Sequence, residues 1–293
     1  MKKTLSLILA GLIAGSMALS AAAANVYEAD QGKVAFGVKK ATATWNPDGI
    51  YDEGEYYDID VKDTWISTMC GGDEAQNAKT AALDVDVAMS YDDEYFYLYM
   101  SYIDPDGFKF TTVDNPAWWD GDIMQFGGSD AGESGGTNYL EIGIGQYSDS
   151  GEKSTNQWFD WLGSGYMVSG GNWNDDFEVT VDGNRATYEL RVPFSAFTTI
   201  TPAVGAQCRI CFCFGWSTEN GGYNMWQLAS GIAGGKAIEN FALITLEEAP
   251  VVETVAEEVV EDTAAAPQTF DAGVIAAVAA IVSAAGYAIS KKR

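Results

Sequence analysis

The sequence predicts an antiparallel β-sandwich of jelly-roll or immunoglobulin-like type, and three observations lead there. Apolar residues between positions 26 and 246 recur at every second place and almost nowhere at helical spacing. The alternating runs are short and are separated by clusters of Gly, Asn and Asp. Finally, a chain that is 47% hydrophobic and 13% aromatic over its full length has enough apolar volume to fill the space between two sheets.

In chain order, alternation marks strands over 83–89, 95–102, 123–126, 139–144, 177–181, 186–192, 209–214 and 241–246. The run from Tyr95 to Tyr102 is the clearest. It sets Phe96, Leu98, Met100 and Tyr102 on one face and Tyr95, Tyr97, Tyr99 and Ser101 on the other. Turn chemistry punctuates the runs at Tyr91-Asp92-Asp93-Glu94, Asp104-Pro105-Asp106-Gly107 and Asp182-Gly183-Asn184. The last of these joins two alternating runs directly and predicts a hairpin.

Charge narrows the function classes. Forty-two acidic residues against 16 basic ones leave a net charge of −26, with no histidine. A nucleic-acid partner needs a basic surface, so that class is excluded. Without histidine there is no Ser-His-Asp or Cys-His nucleophile pair and no His-ligated haem or zinc.

The two ends carry targeting patterns. Residues 1–24 read as a secretory signal: Lys2 and Lys3, an apolar run from Leu5 to Leu19, then Ala22-Ala23-Ala24 before Asn25. At the other end, Ala272 to Ile289 is free of charge and is followed by Lys291-Lys292-Arg293, a pattern able to cross a bilayer with its basic end inside. Residues 247–266, built from Glu, Val, Ala and Pro, read as an acidic, self-repelling linker. Loss of the signal and the basic tail removes five basic residues and one acidic one, leaving a displayed chain near −30, or about four units more negative.

Four cysteines stand at 70, 208, 211 and 213. Three readings fit them: free core thiols, a disulfide involving Cys70, or a thiolate metal site. Alternation places Cys211 and Cys213 on one face of their strand, out of step with Phe212 and Phe214.

Several segments, in order, resemble family 9 carbohydrate-binding modules within a DOMON-like superfamily. Asp48-Gly49-x-x-Asp52-Glu53-x-Glu55-Tyr56 is similar to their opening D-G-x-x-D-E-x-x-W, with Tyr56 in place of Trp. Val87 to Leu98 resembles their strand–D-D-E-x-L-Y–strand hairpin. Trp119-Asp120-Gly121-Asp122-Ile123-Met124-Gln125 is similar to W-x-x-D-S-V-E, and Arg185 to Phe194 to W-x-x-E-x-x-I-P-F. Asn224-x-Trp226 followed by Ile238 to Ile244 is similar to the closing tryptophan and final strand. The tail from Pro267-Gln268-Thr269-Phe270 onward resembles a Gram-positive cell-wall sorting signal, with Phe270 replacing Gly; a plain membrane anchor is the other reading.

The resemblance implies a non-catalytic domain that holds an oligo- or polysaccharide between two indole rings. On this chain Trp119 and Trp226 match the rings, and Gln125 and Asn224 would bond sugar hydroxyls. Structural calcium occurs in some members, and the carboxylates near Asp92, Asp93, Asp104 and Asp120 are its candidate region. The physical logic stands beside the resemblance: a pyranose offers a C–H face to an aromatic ring and hydroxyls to polar groups at its rim. Four segments have that character: Trp118-Trp119-Asp120, Asn156-Gln157-Trp158-x-x-Trp161, Asn172-Trp173-Asn174-Asp175 and Tyr223-Asn224-Met225-Trp226-Gln227. They are expected in exposed stretches between strands. Two rival classes remain, a structural or adhesion protein with no sugar site and a glycoside hydrolase. Glycosidases work with paired carboxylates, and Glu141 stands alone in its strand.

Overall fold

A computed structural model describes residues 34–59, 66–67, 84–104, 107–110, 121–146, 151–168, 173, 175–217, 223–229, 231–232 and 236–251. The expected signal (1–24), acidic linker beyond Val251 and anchor (267–293) lie outside them, as do Cys70, Trp118 and Trp119. No helix among the described residues is long and apolar enough to cross a membrane.

Two sheets face each other, as alternation predicts. The larger runs in the order β1 (Ala35–Lys39), β13 (Ala242–Glu247), β11 (Gln207–Ser217), β6 (Ile123–Asp130), β7 (Leu140–Gln146) and β8 (Lys153–Asp160). Off β11 it branches through β12 (Tyr223–Gln227) to the two-residue β3 (Ile66–Ser67). The smaller sheet is β2 (Tyr57–Asp58), β4 (Val85–Tyr91), β5 (Tyr95–Ile103), β10 (Arg185–Pro193) and β9 (Phe177–Asp182). All pairings between named strands are antiparallel except β1 with β13, where the first strand lies parallel to the last. The hairpin expected at 182–184 joins β9 and β10, with Asp182 opposite Arg185 and Gly183 at φ 61°, a left-handed value that glycine adopts without a Cβ clash.

The core fills the gap between the sheets. Phe96 of β5 meets Phe126 of β6 at 5.8 Å, and Tyr102 of β5 stacks on Phe214 of β11 at 4.2 Å. The one-turn helix α1 (Phe194–Phe197) plugs one end, with Phe197 packed edge-on to Phe126. Gly128 is required beneath it, because a Cβ there would sit 2.5 Å from the Phe197 ring. Each fully buried Phe contributes on the order of 2–3 kcal/mol of transfer free energy, and the two sheets are held by many such rings.

Cys208, Cys211 and Cys213 are buried free thiols. Cys208 pairs in register with Ile244 and points with Ile210 and Phe212 toward the core, whereas Cys211 and Cys213 point to the outer face. The three sulfurs therefore do not converge, and among the described residues no group of three or more Cys, Asp or Glu is placed to hold a metal ion. Two of the carboxylates nominated for calcium are otherwise engaged. Asp92 accepts from the Glu94 and Tyr95 amides and the Tyr97 hydroxyl, and Asp93 pairs with Lys40 at 2.6 Å.

Candidate functional site

The register of the larger sheet decides which side chains share a face. Directly opposed residues on antiparallel strands point the same way. One row therefore runs Gln227–Cys213–Gln125–Gly143–Asn156 across β12, β11, β6, β7 and β8. The adjacent row of opposite parity runs Trp226–Phe214–Met124–Ile144–Thr155. Phe214 belongs to the inner face, where it stacks on Tyr102, so the first row faces outward.

This placement corrects part of the expected site. Trp226 is 3% exposed, stacked on Phe214 at 5.4 Å and tilted against Phe212 at 5.9 Å. It is a core ring on the inner face, and it offers no open surface to a sugar. Gln125 lies on the outer face, so the two are on opposite sides of one sheet and form no joint clamp. Asn224 belongs to β12, opposite Trp216. Trp119 lies outside the described residues, four positions before β6 begins. The expectation that 156–161 and 223–227 are inter-strand stretches is also corrected: Asn156 to Asp160 belong to β8, and 223–227 is β12.

The outward rows around Gln125 make a glycine-rich strip, or trough, that is buried at its described positions on β6, β7, β11 and β12. Gly143 is next to Gln125 in register, and the following outward row is Gly215–Ile123–Gly145–Ser154. Gly143, Gly145 and Gly215 add no side chains to this face and are themselves buried; exposure begins at the edge strand β8, where Asn156 and Trp158 are half-buried. Polar side chains border this floor. Gln125, 5% exposed, lies on one side with its Oε1 3.8 Å from the Cys213 sulfur. Asn156, half-buried, lies on the other.

The opposite end of the trough is closed by the protein itself. Gly127 carries the Phe241 ring and Ile232 over it, so a Cβ at 127 would fall 2.8 Å from Phe241. Beside it Glu141 is wholly buried and held by two donors, Lys236 Nζ and the Tyr139 hydroxyl at 3.0 Å. Burial pushes its carboxyl above the ordinary range, while Lys236 and Tyr139 pull it back.

A β-bulge shapes the trough's edge. Register between β7 and β8 slips by one residue between Glu141 and Ile142, leaving Trp158 as the extra residue. Bulges re-aim side chains, and here Phe159 packs on Tyr139 at 4.8 Å while the half-buried Trp158 ring lies 6.0 Å from Lys236 Nζ. Lys236 is 40% exposed on its side chain. An indole, a cation and the Asn156 amide thus stand at the partly exposed edge of this face, with Gln125 buried behind them. Sequence reasoning nominated the Asn156–Trp158 segment but not the lysine. Only the Gly-x-Gly of 143–145 hinted at the floor, and that signal is shared by ordinary turns.

No protein-family model and no curated protein matches the chain. Among solved structures it is similar to a family 9 carbohydrate-binding module from Caldicellulosiruptor kristjanssonii in complex with cellotriose. That match has a TM-score of 0.46 and 12% identity over 80% of this chain and 99% of the other. A family 9 module from the same organism in complex with glucose gives a TM-score of 0.43 and 11% identity over 73% and 97% of the two chains.

Proposed function

We propose that the domain is a non-catalytic carbohydrate-binding module, and that the outer-face trough of the larger sheet holds a segment of oligo- or polysaccharide. The observation that carries this reading is the outward row of Gln125, Gly143 and Asn156 beside the re-aimed ring of Trp158. An indole accepts the apolar C–H face of a pyranose, and the amides of Gln125 and Asn156 each donate to and accept from hydroxyls. Lys236 supplies a further donor at the edge. Trp119, in the segment leading into β6, is the proposed second ring in place of Trp226. In place of an amide from Asn224, Asn156 becomes the principal hydroxyl reader.

The described acids support binding without cleavage. Glu141 is the only carboxylate in the described rows of the trough, and it is neutralised by Lys236, whereas glycoside hydrolysis takes two carboxylates flanking the scissile bond. Secretion through residues 1–24 and attachment through 267–293, by sortase-type linkage or a membrane span, would display the module at the cell envelope. Its role there would be to gather glycan for uptake or for separate enzymes.

A glycan array probed with the full chain tests the reading, repeated with Asn156→Ala and Trp119→Ala. Binding to a defined glycan set that falls at least about tenfold in both variants is expected, the scale of one aromatic or hydroxyl-bonding contact. Undiminished binding in both removes the trough as the site, and a blank array favours a structural surface protein.

A further inference from the structure

A second feature lies where the chain crosses between sheets. β8 is the last strand of the larger sheet and β9 the last of the smaller, and residues 161–176 connect them. Described parts of this crossover, with the turn into α1, line a cavity of about 250 Å³ that includes Ser164, Tyr166, Met167, Trp173, Asp176 and Ser195. That is below the roughly 300–1,000 Å³ of pockets for drug-sized ligands and suits one small ring.

The walls are fixed in several independent ways. Asp160 accepts from the amides of Ser164 and Gly165 at 2.9 and 2.7 Å, and these bonds hold its carboxyl below the ordinary range despite some burial. Gln157 Nε2 donates to the Tyr166 carbonyl at 2.6 Å, and the Tyr166 hydroxyl donates to the Arg191 carbonyl. Met167 has φ 62°, the only positive φ of a non-glycine among the described residues. Such a conformation costs about 1 kcal/mol or more and persists where the surroundings impose it, often beside binding sites. The Trp173 ring is pinned too, stacked on Phe177 at 5.6 Å with its Nε1 donating to the Val168 carbonyl at 3.2 Å.

The chemistry of the lining is mixed in a particular way. Trp173 gives one aromatic wall and Ser195 a hydroxyl, while the Ser164 hydroxyl is already engaged, donating to Asp160 at 3.0 Å and accepting from the Tyr166 amide at 3.2 Å. Asp176 gives a carboxylate whose Oδ1 is held by Arg191 Nε at 2.8 Å, leaving Oδ2 as an acceptor. Arg191 is itself locked between the Trp45 and Tyr95 rings at 4.9 and 4.8 Å, so the carboxylate is positioned before any ligand arrives. An indole held by stacking and a hydrogen bond, a fixed acceptor and a serine hydroxyl around a one-ring volume match a single neutral pyranose, stacked by its C–H face and bonded at its rim. We propose that this cavity is a second saccharide site, taking one monosaccharide unit and acting independently of the trough.

Saturation-transfer NMR of the full chain with a panel of methyl pyranosides (gluco, galacto, manno and xylo) tests it. The variants are Ser195→Leu, which fills the cavity from an exposed position without removing a buried contact, Trp173→Ala, and the trough variant Asn156→Ala. The expected result is at least one glycoside whose binding weakens about tenfold in Ser195→Leu and in Trp173→Ala but is unchanged in Asn156→Ala. A signal lost in Asn156→Ala and kept in Ser195→Leu overturns the second site and leaves the trough standing. A glycoside indifferent to all three variants, or no glycoside bound by the wild-type chain, also overturns it.

Discussion

Trp226 and Trp158 show how one residue type takes two roles on the same sheet. Trp226 falls on an inward position of β12, and stacking against Phe214 and Phe212 makes it part of the core. Truncating a buried indole removes transfer energy and leaves a cavity, so Trp226→Ala should cost about 3–5 kcal/mol in urea unfolding. Trp158→Ala, at a half-buried bulge, should leave the unfolding midpoint nearly unchanged and weaken glycan binding about tenfold. The three described thiols follow the same logic of burial, which pushes Cys208, Cys211 and Cys213 well above the ordinary thiol range. Thiolate is the reactive form. A disulfide-exchange reagent at pH 8 should therefore modify these three only at the rate of unfolding, with a fast phase in native protein as the contrary result.

At the level of elements, the smaller sheet carries a device readable only in part from sequence. The opening motif from Asp48 to Tyr56 folds over the outer face of β4, β5 and β10. There Trp45 Nε1 donates to the Tyr56 hydroxyl at 2.6 Å, and that hydroxyl donates to Glu189 of β10 at 2.9 Å. The Gly49 amide donates to the other carboxylate oxygen, and Trp45 lies on Tyr97 at 5.7 Å. Burial, with help from Asp48 and Glu55, raises Glu189 to about 7, against the two bonds that lower it. The folded state therefore holds this proton more tightly than the unfolded chain, and the clasp loses stability as pH climbs from about 4.5 through 7. Thermal midpoints should fall over that window by several degrees more in the wild type than in Glu189→Gln, which keeps an acceptor for Gly49 and cannot ionise. Parallel curves for the two proteins would refute this.

All eight strands marked by alternation exist, because each buries one face or both against a sheet partner and a core. β8 was missed because it is an edge strand whose Lys153 to Asp160 has no clean apolar period and contains a bulge. β12 was missed because its Met225, Trp226 and Gln227 are all buried, so polarity does not alternate. β2 and β3 are two residues long, and β1 is held by a parallel partner more than 200 residues away. No local signal carries that kind of pairing. For the site, alternation places Gln125 near the end of a strand but gives no strand to Trp226, so it cannot assign the two to faces. Only the register across three strands, β6, β11 and β12, puts them on opposite sides.

The whole molecule has a direction. β13 ends at Glu247, and the chain continues to Val251, the last described residue. Cys213 in the trough row lies six residues along β11 from Gln207, which pairs with Thr245, so the trough stands about 26 Å from Glu247 at ~3.3 Å per residue. An attachment through residues beyond Val251, as proposed, would join the domain at that end of the sheet. A chain ending at Val251 should keep the full-length thermal midpoint and glycan affinity while moving from the envelope fraction to the medium. Retention in the envelope would place the anchor elsewhere.

The claim that the outer face of the larger sheet is the glycan surface is tested most directly by backbone amide NMR during titration with the oligosaccharide bound best on the array. Shifts concentrated at Gln125, Gly143, Gly145 and Asn156 are predicted, with Tyr99 and Glu189 on the other sheet unmoved. Shifts confined to the smaller sheet, or none at saturating oligosaccharide, would contradict the account.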